Sequence, residues 1–131
     1  MFSGIITDIG RVAAIERRGD THLWIESGYD LEPIAIGASV AHNGICLTVT
    51  EKDVATGRHA VTASGETLSK TTLGSWRTGT PVNLELSMRL GDEIGGHLVY
   101  GHVDGLASVA DRRQDGESVR FSFDAPPELM A

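Results

Sequence analysis

Short apolar runs that alternate with period two, each cut off by a turn residue, dominate the chain from Ile5 to Leu86. A period of two belongs to strands, whereas helices repeat near 3.6. Ile5-Ile6 leads to Asp8-Ile9-Gly10 and Val12-Ala13-Ala14-Ile15, and a turn at Arg18-Gly19-Asp20 follows. In His22-Leu23-Trp24-Ile25-Glu26 the residues Leu23 and Ile25 share one face. Asn43-Gly44 separates Ser39–His42 from Ile45–Thr50, and Asn-Gly between two β-rich runs is the strongest short-range hairpin signal. His59–Ala63 and Val82–Leu86 complete about six strands, which predicts an all-β fold, a small closed barrel or a sandwich. One segment differs. Ser64 to Gly74 offers an N-cap candidate in Ser64 and a stop glycine in Gly74, with a thin apolar stripe of Leu68 and Leu73. It predicts one short helix plugging the barrel end.

Only 5% of the residues are aromatic, so a core must rest on Val, Ile, Leu and Ala. The formal charge of −7 disfavours nucleic acid and anionic membranes, because the basic residues are scattered and Arg17-Arg18 and Arg112-Arg113 are only pairs. Cys46 is the one cysteine and has no internal disulfide partner, which fits a reducing compartment. Met1-Phe2-Ser3-Gly4 has no charged n-region and no apolar run reaches membrane-spanning length, so a cytoplasmic protein is expected.

An internal repeat is the second organising feature. Sliding the chain by about 97 positions lays Gly4 on Gly101, Ile6 on Val103, Ile9 on Leu106, Val12 on Val109, Ala13 on Ala110, Gly19 on Gly116 and Asp20 on Glu117. One further residue of slip matches Asp30-Leu31 to Glu128-Leu129. This predicts a first barrel over 1–90 and the incomplete start of a similar one over 91–131.

Three stretches could carry chemistry. Asp92 to Gly105 packs His97 and His102 among acidic residues and glycines. Histidine moves protons near neutrality and glycine allows close backbone approach; the plainer reading is a glycine-rich linker. His97 and His102 would face opposite ways on one strand, and a zinc site with Cys46 lacks any ligand-pair spacing, so no metal is expected. In Ser39 to Thr50, Cys46, Thr48 and Thr50 alternate onto one face that, turned inward or rimward, could offer a thiol and two hydroxyls to a ligand. The plainer reading makes Cys46 a small buried hydrophobe. Thr62-Ala63-Ser64-Gly65-Glu66-Thr67 is a strand-to-helix junction, either a ligand contact or merely a cap.

These stretches, with the opening Met1-Phe2-Ser3-Gly4-Ile5-Ile6 and Thr72-Leu73-Gly74, resemble riboflavin synthase of the alpha-subunit type, in order and over the whole chain. The resemblance implies two similar six-stranded Greek-key barrels and a carboxy-terminal helix through which trimers form. On that pattern the present chain is expected to stop early in the second barrel. The implied activity is dismutation of two 6,7-dimethyl-8-ribityllumazine molecules to riboflavin and 5-amino-6-(D-ribitylamino)uracil, without cofactor or metal. The implied site lies between the first barrel of one subunit and the second barrel of a neighbour. By this resemblance Gly4, Ile5, Ile6, Ser39, Cys46, Leu47, Thr48 and Thr62, Ala63, Ser64, Gly65, Glu66 and Thr67 contact lumazine in the first barrel. Gly101, His102 and Val103 do so in the second. Proton handling falls to His102, with His97 as a second candidate, and the nucleophile is water, a ligand hydroxyl or Cys46. The alternative is a non-catalytic lumazine- or flavin-binding protein of the same fold; such relatives depart from the pattern around the two histidines.

Overall fold

The computed structural model describes residues 1–130; Ala131, the last residue assigned to the second unit, lies outside them. Six antiparallel strands close into a barrel in the order β1-β2-β5-β4-β3-β6. They are β1 (Asp8–Arg18), β2 (Asp20–Glu26), β3 (Ser39–His42), β4 (Ile45–Asp53), β5 (Arg58–Ala63) and β6 (Pro81–Leu86). Closure leaves no free edge in this sheet.

Alternation sets which side chains fill the lumen. Leu23 and Ile25 of β2, Leu47 and Val49 of β4, Val61 of β5 and Leu84 of β6 are all buried in one cluster. The β3–β4 hairpin forms as its sequence predicts. Asn43 (φ 50°) and Gly44 (φ 81°) both take positive φ, as a type I′ turn requires. The Asn43 side-chain oxygen then accepts from the Asn83 amide at 2.7 Å, tying the turn to β6.

After β5 the chain makes α1 (Gly65–Lys70), with Ser64 as N-cap accepting from the Thr67 amide. The helix ends before its expected stop. Thr71 breaks it with extended φ and ψ, and the following 3-10 turn, Thr72–Ser75, carries Gly74 inside it. Thr71 Oγ1 bonds backward to the Thr67 carbonyl at 2.7 Å and accepts from the Leu73 amide, so the threonine closes one turn and opens the next. Leu73 of that turn and Trp76 after it are buried in the core cluster, whereas α1 buries no residue and only its Leu68 packs against the cluster.

Beyond the barrel, β7 (Ser108–Asp115) and β8 (Ser118–Asp124) form a two-stranded hairpin, exposed throughout. Its pairing follows that of β1–β2. Val12 faces Ile25 with a register shift before Ala14, and Val109 faces Phe123 with a register shift before Asp111. The turns differ. Arg18 pairs with Asp20 across one residue, whereas Asp115 pairs with Ser118 across two. The partner of Asp20 in this comparison is therefore Ser118 rather than Glu117, and the one-residue slip falls at the turn.

Candidate functional site

The sequence-derived site residues separate into a cleft, a second cleft and the core. The Cys46 end of β4, the Glu66–Thr71 side of α1 and Gly101–Asp104 converge on a cleft of about 370 Å³. Cys46, Glu66, Thr67, Gly101, His102 and Val103 line it together. Sequence reasoning had missed Ile45, Lys70, Thr71 and Asp104, which complete the wall. The result is a polar pocket offering a thiol, hydroxyls, an imidazole, two carboxylates and one ammonium.

Gly101–Val103 reaches this cleft for a backbone reason. The Gly101 carbonyl accepts from the Cys46 amide at 2.9 Å. A Cβ on Gly101 would stand 2.9 Å from the Cys46 Cβ and 3.1 Å from the Phe2 ring, and its φ is +75°. Glycine satisfies both demands at once. The segment expected to open a second barrel is thus a wall of the first barrel's cleft. The glycine-rich stretch is not a free linker at this point. The Tyr100 and His102 ring centroids lie 6.1 Å apart.

Ile5 and Ser39 line a different cleft, of about 800 Å³, with Tyr29, Glu85 and Arg89 among its walls. Lys52 holds the loop that carries Ile34, one of the lining residues of this cleft. Its ammonium donates to the carbonyls of Leu31, Glu32 and Ile34 at 2.8–3.0 Å, pinning the loop before β3.

Strand parity sorts the other expected contacts. Leu47 and Ala63 point their side chains into the hydrophobic core. Cys46, Thr48 and Thr50 do share a face, but it is the outer one, because the lumen is already filled by Ile45, Leu47 and Val49. Thr62 bonds to His22 at 3.0 Å on the barrel exterior. The Ser64 hydroxyl is engaged in its cap. Gly4, Ile6, Thr48, Thr62, Ser64, Gly65 and His97 line neither cleft. The His97 amide instead donates to the Ser3 carbonyl at 2.9 Å.

Two titratable groups escaped notice entirely. His42 and His59 are fully buried in the lumen, with Nε2 atoms 2.9 Å apart. His42 alternates with Val40 and His59 with Val61, so the same periodicity that located the core would have placed both imidazoles inside it.

Fold and cleft together define a small antiparallel barrel with a pocket of small-molecule size on its outer wall. A family model described as the lumazine binding domain matches residues 3–87, and the chain belongs to that family. It is 49% identical to riboflavin synthase of Brucella abortus, over 98% of this chain and 66% of that protein. It is 38% identical to riboflavin synthase of Meyerozyma guilliermondii, over 94% of this chain and 55% of that one. The chain thus spans between about half and two thirds of the length of these curated relatives. Among solved structures, LumP complexed with riboflavin superposes with a TM-score of 0.82 at 23% identity, covering 99% of this chain and 70% of that one. LumP complexed with 6,7-dimethyl-8-(1'-D-ribityl) lumazine gives 0.79, also at 23%, over 99% and 69%. At that identity these two matches concern the fold alone. Among the described residues no helix is long and apolar enough to cross a membrane.

Proposed function

We propose that this chain is the first-barrel portion of a riboflavin synthase and binds one 6,7-dimethyl-8-ribityllumazine in the cleft between β4, α1 and Gly101–Asp104. The observation that carries this reading is the convergence of Cys46, Glu66, Thr67 and His102 on one polar pocket, in a chain of the lumazine binding domain family. The matched register shifts of β1–β2 and β7–β8 support a second, similar unit beginning in 91–131. A second barrel would hold the second lumazine, and subunits would assemble as trimers in the cytoplasm. Dismutation needs no cofactor: one lumazine gives four carbons to the other, releasing riboflavin and 5-amino-6-(D-ribitylamino)uracil. Holding both substrates in one geometry replaces a bimolecular encounter and removes several kcal/mol from the barrier.

Titrating 6,7-dimethyl-8-ribityllumazine into the chain while following its fluorescence tests the reading. A saturable change with a Kd no weaker than the high-micromolar range is expected. A linear response through that range refutes binding at this cleft.

Within the cleft Cys46 serves as a contact. No lysine, arginine or histidine forms a hydrogen bond with its sulfur among the described residues. Cys46→Ser is expected to lower lumazine affinity by less than tenfold and, in a chain that turns over lumazine, to keep measurable turnover. Abolished turnover with intact affinity would make Cys46 the covalent nucleophile.

A further inference from the structure

Glu85 is buried near the end of β6, 5% exposed, yet its carboxylate has no cationic partner among the described residues. It is satisfied instead by the start of the chain. Oε1 accepts from the Ser3 amide at 2.6 Å and the Ser3 hydroxyl at 2.8 Å, and Oε2 accepts from the Gly4 amide at 3.1 Å. Hydrogen bonds to an ionised acceptor are roughly twice as strong as neutral ones.

The amino-terminal segment in turn carries the next one. Phe2 and Val99 exchange two backbone hydrogen bonds, at 2.7 and 3.0 Å, and the His97 amide donates to the Ser3 carbonyl at 2.9 Å. A Cβ on Gly96 would collide with that same carbonyl. Two residues past Val99, Gly101 accepts from Cys46 and His102 enters the cleft. Strand pairing shows why the path is possible. Glu85 faces Ala41 on β3 and Ala41 faces Cys46 on β4, so the three residues form one row across the outer face of the sheet. Small, buried Ala41 leaves room above it for the crossing segments.

We propose that Glu85 is a positioning residue of the cleft. Its carboxylate anchors the amino-terminal segment, and that segment holds the His97–His102 stretch against β4, fixing the wall that carries His102. Neither Glu85 nor Ser3 lines this cleft, so the effect is transmitted through backbone pairing. The consequence for lumazine rests on the reading of the cleft given above; the docking of the segment does not.

Amide hydrogen exchange of the whole chain, Glu85→Gln against parent, separates the two. Exchange is expected to quicken tenfold or more at Phe2 and Val99 and also at Cys46, whose amide donates to Gly101 and not to Glu85. The Val61 and Leu23 amides of the barrel should keep their parental rates, and lumazine affinity should fall about tenfold. Gly96→Ala breaks the same path from its other side without touching the carboxylate, and should reproduce the Cys46 effect even if Glu85→Gln fails to fold. Parental exchange at Cys46 in either folded variant, with Phe2 and Val99 opened, overturns the proposal. Failure of the parent to bind lumazine would count against the functional reading only, and exchange would still decide the role of Glu85.

Discussion

Lowering the pH from 7 to 5 is expected to cost the barrel several kcal/mol of stability, with His42 and His59 carrying most of the loss. The hydrogen bonds fix the protonation states. His42 Nδ1 lies 3.0 Å from the Val40 carbonyl, which can only accept, so that nitrogen bears a proton. His42 Nε2 is then an acceptor, and His59 Nε2 donates to it. His59 Nδ1 is left bare and without a partner. A proton added to His42 would place a charge in an apolar lumen and oblige His59 to move its own proton to Nδ1, which has no partner there. Burial, reinforced by the neighbouring His59, accordingly pulls His42 down to about 3, and burial pulls His59 down to about 4. Both folded values lie below the ordinary histidine value of about 6.5. The unfolded chain therefore takes up protons first. The contribution of the pair is fully present above pH 6.5 and is lost as the pH falls toward 4 and 3. Two histidines give a slope of up to about 2.7 kcal/mol per pH unit within that window. Denaturant unfolding measured from pH 7.5 to 4.5 should show it, and His59→Gln should make the dependence about half as steep. An unfolding free energy that stays level from pH 7 to 5, or a slope unaltered in the variant, would contradict this account.

In a chain that turns over lumazine, His102→Gln should slow turnover about a hundredfold or more while leaving lumazine affinity within a few-fold. The proposed reaction begins by removing a proton from the C7 methyl of one lumazine. A neutral imidazole can take that proton, and an imidazolium can steady the anion that results. By the repeat alignment His102 takes the place that Ile5 fills near the start of the chain. An apolar side chain at one position and an imidazole at the other would make the two barrels unequal, as one donor and one acceptor require. The structure adds that His102 shares its cleft with Cys46 and Thr67 of the first barrel. Glutamine keeps hydrogen-bonding ability but cannot exchange a proton near neutrality. Affinity by fluorescence and turnover by riboflavin formation must be measured separately. Turnover within a few-fold of the parent would reduce His102 to a structural role.

The strands were legible because their physics is local. Alternation in His22–Glu26 and the Asn43-Gly44 pair each determine geometry within a few residues, and the structure has both as read. The helix was legible at its start, where Ser64 caps it, but not at its end, because the Thr71 side chain decides that end rather than Gly74. The site was legible as a set of segments and blurred within them. Leu47 and Ala63 were swept in with their neighbours although alternation alone sends them to the core. What no local pattern could supply was the crossing of the amino-terminal and His97–Gly101 segments over the outer face of the barrel. That crossing joins Phe2 to Val99 and Ser3 to His97 through main-chain bonds, and main-chain partners leave no mark on side-chain periodicity.

The lumen of this barrel is occupied by its own side chains, and the cleft is built outside it. Inward residues such as Leu23, Val61 and Leu84 answer to packing alone, whereas outward ones such as Cys46 and Thr67 answer to whatever enters the cleft. Adjacent positions on one strand therefore meet different surroundings. Replacing Cys46 should re-tune ligand preference at little thermodynamic risk, while changing its neighbour Leu47 would endanger the fold and leave preference untouched. A barrel with a solid interior and its cleft on the outer wall separates the residues that hold it together from those a ligand would meet.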